Sequence, residues 1–292
     1  MSGASGLIGS ALVPALESSG YEVTRLVRGT PRAAGQIAWQ PTRGLDPQLL
    51  SGFDAVILLA GESIVGRWTE AKKKRILESR VGATRTLAEA LARAPERPRV
   101  LLCASAVGYY GNRGDELLHE ESSPGDQFAS RLSLHWEKAS QPAADAGIRT
   151  VPLRFGAVLS PQGGALGQML TPFKLGLGGK MGSGRQWLSW IAVQDVIGAM
   201  QWILHHDCCS GPFNVVAPNP VTNEEFATTL ASVLSRPAFF SLPGFAVRWA
   251  FGEMGKEILL GSQRAEPRKL AASGYVFQQP QLRPALEAIL RR

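Results

Sequence analysis

Two short stretches, Phe53–Ala60 and Val100–Ser105, are apolar almost from end to end, and a helix-length segment separates them. A strand carries that composition only where both of its faces are covered, as inside a parallel sheet flanked by helices. The alternation extends in both directions. Tyr21–Val27, Thr150–Leu159 and Pro212–Val216 read as further strands. Leu7–Ser19, Glu70–Arg93, Leu132–Ala146 and Val196–His205 read as helices. The pattern predicts an α/β fold with a doubly wound parallel sheet. In the first helix Ile8, Leu12, Ala15 and Leu16 share a face, and Pro14 predicts a kink.

After Pro220 the strand rhythm stops. Thr222 and Glu225 form a Thr-x-x-Glu capping box that opens a helix with Phe226, Leu230, Val233 and Leu234 inward. Pro280 precedes a last helix carrying Leu282, Leu286 and Ile289. We therefore expect a dinucleotide-binding domain over residues 1–216 and a smaller, mostly helical cap over 217–292, completed by a long loop at 160–190.

The run Gly3-Ala4-Ser5-Gly6-Leu7-Ile8-Gly9 opens the first helix. Glycines let the backbone turn tightly and approach a diphosphate, and a helix start offers unpaired N–H groups and a positive dipole end. Gly3, Ser5, Gly6, Leu7 and Ile8 are the expected diphosphate contacts. A strand should lead into that turn, yet only Met1 and Ser2 precede it, so we expect the natural chain to begin several residues earlier. Where a site for NAD carries an acidic residue on the ribose, this chain has Arg28, nineteen residues beyond Gly9. A guanidinium there suits a 2′-phosphate and predicts NADP(H) over NAD.

With these features the chain resembles the extended, atypical short-chain dehydrogenase/reductase superfamily. More narrowly it is similar to the epimerase/dehydratase-like "epimerase family protein" branch, which has a C-terminal domain of unknown function. The resemblance rests on Gly3–Gly9, Leu59-Ala60-Gly61-Glu62-Ser63-Ile64, Ser79-Arg80, Ser105-Ala106-Val107-Gly108-Tyr109-Tyr110-Gly111 and Leu153-Arg154-Phe155-Gly156. It continues through Gly182-Ser183-Gly184-Arg185-Gln186, Ser189-Trp190-Ile191, Asn223-Glu224-Glu225-Phe226 and Leu259-Leu260-Gly261-Ser262. It implies a Rossmann-type core, bound NADP(H), and a substrate cleft between core and cap. Leu59, Ala60, Gly61 and Glu62 are placed on the adenosine and ribose side, with Arg80 and Arg154 as further cofactor contacts.

The superfamily's proton-transfer dyad is a tyrosine with a lysine four residues on. None of the four tyrosines, Tyr21, Tyr109, Tyr110 and Tyr275, has that lysine. Counting back from Glu137 puts Ala129 and Ser133 at the two positions. Ser105 matches the family's strand-end serine and is the expected hydrogen-bond partner of a substrate oxygen. Tyr109 and Tyr110 are the remaining proton-donor candidates. Arg67, Trp68 and Arg185 are expected to shape the cleft. The histidines have no metal or triad spacing, Ala192 stands where relatives often carry histidine, and Asp195 reads as a helix cap.

Charged residues make up 19% and hydrophobic ones 45%, which argues against disorder. No apolar run reaches the roughly 18 residues of a membrane span, and no export signal is visible. Cys103, Cys208 and Cys209 form no framework, so the expected setting is the cytoplasm. The net charge of +7 is thinly spread; its one tight run, Lys72–Arg75, reads as a solvated helix face. The leading expectation is an NADP(H)-dependent oxidoreductase or sugar-nucleotide-epimerase-like enzyme with a small polar substrate. The alternative is a non-catalytic NADP(H)-binding sensor or scaffold. A nucleic-acid binder driven by charge is a third reading, and neither nucleic acid nor a membrane is the expected partner.

Overall fold

The computed structural model describes residues 1–41 and 43–290. Helix α1 (Leu7–Ser18) leads to the parallel strands β1 (Arg25–Val27), β2 (Gln36–Ala38) and β3 (Ala55–Leu58). Next come α2 (Glu70–Leu77), α3 (Ala83–Ala92), β4 (Val100–Ala106) and β5 (Leu117–Leu118). Helices α4 (Phe128–Lys138) and α5 (Gln141–Asp145) precede β6 (Arg149–Phe155) and β7 (Ala157–Leu159). Helix α6 (Gly164–Lys174), β8 (Gly179–Met181), β9 (Trp187–Leu188), β10 (Trp190–Ala192), α7 (Val193–His205) and β11 (Phe213–Val215) follow. The remainder is β12 (Val221–Thr222), α8 (Asn223–Val233), β13 (Phe240–Leu242), α9 (Gly244–Met254), β14 (Arg264–Ala265), α10 (Arg268–Ala272) and α11 (Leu282–Leu290).

The main sheet is parallel throughout, in the order β2-β1, then Ser2, then β3-β4-β6-β11. Met1 and Ser2 fill the central slot. Ser2 bridges Leu26 on one side and Leu58 on the other, and its amide donates to the Ile57 carbonyl at 2.9 Å. Leu26 N–H donates to Met1 at 2.7 Å on the opposite edge. With Leu59 N–H donating to Ser2 at 3.3 Å and the Met1 ammonium donating to Thr24 at 2.7 Å, these two residues stitch the halves of the sheet together. The apolar runs behave as their composition demands: Val56–Leu58 and Val100–Cys103 are buried on both faces. Two core clusters, one on each face, pack against them.

Several elements differ from the sequence reading for identifiable reasons. Helix α1 runs through Pro14, whose side chain is exposed, so the Ser10 carbonyl it leaves unpaired lies on the wet face. The segment expected as one helix over 70–93 holds a wider π turn at Glu78–Gly82, which carries Ser79 and Arg80. Lys72 and Lys73 do not stand in solvent. Lys72 pairs with Glu62 at 2.9 Å and Lys73 with Glu253 of α9, leaving Lys74 and Arg75 outward. The long loop expected at 160–190 instead contains α6, β8 and β9. The strand expected over 150–159 breaks at Gly156, where a side chain would strike the Ser189 carbonyl and Val216. There the chain leaves the main sheet and pairs as β7 with β10.

The remaining mass is helical. Helices α6, α8 and α11 share a core with Trp190, Phe226 and Leu286. The N-cap half of the expected capping box forms, with the Thr222 hydroxyl accepting the Glu225 N–H at 3.2 Å. Asp195 is not a cap. It is fully buried and accepts the N–H groups of Gln278 and Gln279 at 2.8 Å each, pinning the segment before α11 against α7. A second cluster, with Trp68, Ile76, Leu132 and Met254, joins α9 to α2 and α4. No described helix is long and apolar enough to cross a membrane.

Candidate functional site

Because the sheet is parallel, the glycine turn and the carboxyl ends of β1, β3 and β4 meet along one edge. Gly3 has φ +71°, and a methyl placed on it would lie 2.7 Å from the Ala60 N and 2.8 Å from the Leu59 carbonyl carbon. A methyl on Gly9 would overlap the Gly3 carbonyl. No other residue fits either position, and the fit brings the Gly3 turn directly against Leu59 and Ala60. Helix α1 has no side-chain cap and no acidic residue in its first turn. Its first N–H groups therefore point out of the turn unpaired, beside a positive dipole end. Arg28 follows β1 at the same edge, is exposed, and has no hydrogen-bond or ion-pair partner among the described residues.

The loop after β3 is braced from below. Arg80 lies against Gly61, donates to the Glu62 carbonyl at 2.9 Å and stands 5.1 Å from the Trp136 ring. Burial lowers its pKa to about 10. Glu62 is neutralised at its carboxylate, where the hydrogen bond from Lys72 and its charge, with Arg75 beyond, hold the pKa below the usual range. Arg80 and Glu62 were expected as cofactor contacts. In the structure their charged ends hold the Leu59–Ile64 loop in shape.

The end of β4 is closed off more completely. Ser105 is 3% exposed and donates to Glu137 of α4 at 2.6 Å. Arg154 of β6, 2% exposed, grips the same carboxylate with two bonds of 2.8 and 2.9 Å. It also donates to the Tyr110 hydroxyl at 3.0 Å, which donates in turn to Asn214 at 2.7 Å. Glu120 completes the group by accepting the Asn214 N–H at 3.1 Å, while its other oxygen is buried without a partner. Burial raises the Glu120 pKa, and burial lifts Tyr110 to about 12. Three residues expected at the site lie inside this network. Ser105 lies on the sheet face that α4 covers, and its hydroxyl is taken up by Glu137. Tyr110 is wholly buried and cannot reach a ligand, and Arg154 is a core residue tied to Glu137.

Tyr109 remains. It lies on the short helical turn after β4, half-buried, with the Arg154 guanidinium 3.6 Å from its ring centre. Its hydroxyl has no hydrogen-bond partner among the described residues. The two dyad positions hold small residues packed inward: Ala129 lies beneath Gly108, and the Ser133 hydroxyl donates to the Ala129 carbonyl at 2.9 Å. The start of α4 is capped from the far end of the chain, since Glu257 accepts the N–H groups of Phe128 and Ala129 at 3.2 and 2.9 Å. Arg67 donates to the Trp249 carbonyl at 2.9 Å, and the Trp68 indole to Ile64 at 2.7 Å, so both shape the loop facing α9. Arg185 is exposed. Glu137, Glu120, Lys72 and Glu257 escaped the sequence reading because each acts on a residue at least ten positions away, with no local spacing to mark it. No cluster of three or more metal-ligating side chains exists among the described residues.

Comparison with known proteins shows the family. The profile of the NAD dependent epimerase/dehydratase family matches residues 1–216, and that of a domain of unknown function, DUF1731, matches 242–289. An epimerase family protein of Mycobacterium bovis is 43% identical over 98% of this chain and 95% of its own. Human epimerase family protein SDR39U1 is 39% identical over 99% of this chain and 98% of its own. A crystal structure of the human protein (isoform 2) with NADPH superposes with a TM-score of 0.91 at 38% identity, covering 100% of this chain and 98% of that one. The fold and the glycine edge thus define a Rossmann-type member of the short-chain dehydrogenase/reductase group. Within it, the chain belongs to the NAD dependent epimerase/dehydratase family, in the branch that carries the DUF1731 tail.

Proposed function

We propose that this protein is an NADP(H)-dependent oxidoreductase or epimerase-like enzyme that works on a small polar substrate between the sheet edge and the helical cap. The observation that carries the reading is the cradle at Gly3 and Gly9. It admits no side chain, leaves the first amides of α1 free, and has the unpaired Arg28 beside it. These residues fit a dinucleotide: amides for the diphosphate, Arg28 for a 2′-phosphate, Leu59 and Ala60 along the adenosine and ribose. The human relative crystallised with NADPH supports the same choice.

Bound NADP(H) supplies or accepts a hydride. Tyr109 Oη gives or takes the accompanying proton at the substrate oxygen, and the Arg154 guanidinium, 3.6 Å from its ring centre, holds the ring in place. Glu137 and Arg154 fix the turn that presents Tyr109. Lys72 and Arg80 fix the loop opposite.

The packing of Ala129 and Ser133 and the engaged Ser105 hydroxyl favour a second reading, a non-catalytic NADP(H) sensor. Calorimetry separates the possibilities. NADPH binding that exceeds NADH binding by about ten- to a hundredfold, and that Arg28→Ala abolishes as a preference, supports the cofactor assignment. No binding of either dinucleotide at millimolar concentration overturns it. Oxidation of bound NADPH by any member of a carbonyl or nucleotide-sugar panel supports the enzyme; inertness across the panel moves the assignment to the sensor.

A further inference from the structure

Of the twelve large apolar side chains exposed among the described residues, seven come from two segments of the cap. Leu175 and Leu177 lie between α6 and β8. Phe239, Phe240 and Leu242 lie on or beside β13, and Phe245 and Trp249 stand four apart on α9. The segments adjoin: β13 pairs with β8 with Phe240 opposite Gly179, Pro237 packs near Gly176, and Gly244 meets Gly182. Phe239 is 90% exposed, Trp249 80% and Phe245 70%. With Phe240, these aromatic rings leave on the order of 500 Å² of apolar surface in water. A monomeric protein seldom carries a patch of that size without a use.

Charge says what covers it. Residues 174–186 and 236–252 contain no aspartate or glutamate. Lys174, Arg185, Arg236 and Arg248 are exposed there without an ion-pair partner among the described residues. The adjacent carboxylates are spent, Glu224 on Lys180 at 2.7 Å and Glu253 on Lys73. A second copy of the chain would bring the same cations face to face. An anionic bilayer satisfies both features at once, with rings seated at the acyl boundary and cations on lipid phosphates. We propose that the cap docks on an anionic lipid surface through this patch, without crossing it.

Co-sedimentation of the full chain with phosphatidylcholine vesicles, with and without 30 mol% phosphatidylglycerol, tests this. The expected result is pelleting with the anionic vesicles that falls steeply in 0.5 M salt. Phe239→Ser with Phe245→Ser should lower it at least tenfold, and Lys174→Gln with Arg236→Gln by about fivefold per charge. All four side chains are exposed, so the melting temperature should hold in both variants. No pelleting with either vesicle overturns the proposal, as does equal pelleting of the Phe variant. A concentration-dependent dimer that the Phe variant dissolves, with no lipid binding, overturns it in favour of a second copy.

Discussion

The two ends of the sheet's carboxyl edge differ in how much they satisfy themselves. At the glycine turn, the first amides of α1 and the Arg28 guanidinium have no partner among the described residues. At the end of β4, Ser105, Glu137, Arg154, Tyr110 and Asn214 use nearly every polar atom on one another. Under the proposed function the unpaired end is where the dinucleotide binds. The paired end holds the sheet and its helices in register, while the Tyr109 hydroxyl, lying over it, has no hydrogen-bond partner among the described residues. Residues that a family resemblance groups together thus separate into those that wait for a partner and those that already have one.

Substitutions can break this contrast. The largest effect should follow Arg154→Met, which removes both guanidinium bonds from the half-buried Glu137 carboxylate and leaves it Ser105 alone. A loss of about 3–5 kcal/mol in urea unfolding is expected. Tyr109→Phe should leave unfolding unchanged and lower turnover of any substrate found by about a hundredfold or more, with NADPH affinity intact. If it instead destabilises the fold as Arg154→Met does, Tyr109 belongs to the network and the contrast fails. Arg28→Ala should show the opposite profile to Arg154→Met: unchanged stability, and NADPH affinity about ten- to a hundredfold weaker by calorimetry.

The smallest effect concerns Glu120. Its folded pKa is raised by burial, so its contribution to stability is full below the unfolded carboxylate range and fades as pH rises through the raised value. The melting temperature of the native chain relative to Glu120→Gln should therefore fall between pH 4.5 and pH 7.

What could be read from sequence was local. Doubly covered strands announce themselves by composition, the capping box by a three-residue offset, and the cradle by glycines that nothing else can replace. The partner of Ser105 was not legible, because Glu137 lies thirty-two residues on and only the packing of α4 brings it to the strand end. The Lys72–Arg75 run looks solvated by count, yet two of its lysines meet carboxylates from a distant loop and a distant helix. Glu137 and Arg154 are seventeen residues apart on different elements, and only the packing of α4 on the sheet brings them together.

Glu257 ties the last third of the chain to the middle one. Its carboxylate closes the first turn of α4, the helix whose Glu137 anchors the ends of β4 and β6. Detaching the tail would strip that turn of both acceptors and loosen the strand ends beneath it. Core and tail should therefore melt in one cooperative transition, with no temperature at which one survives alone.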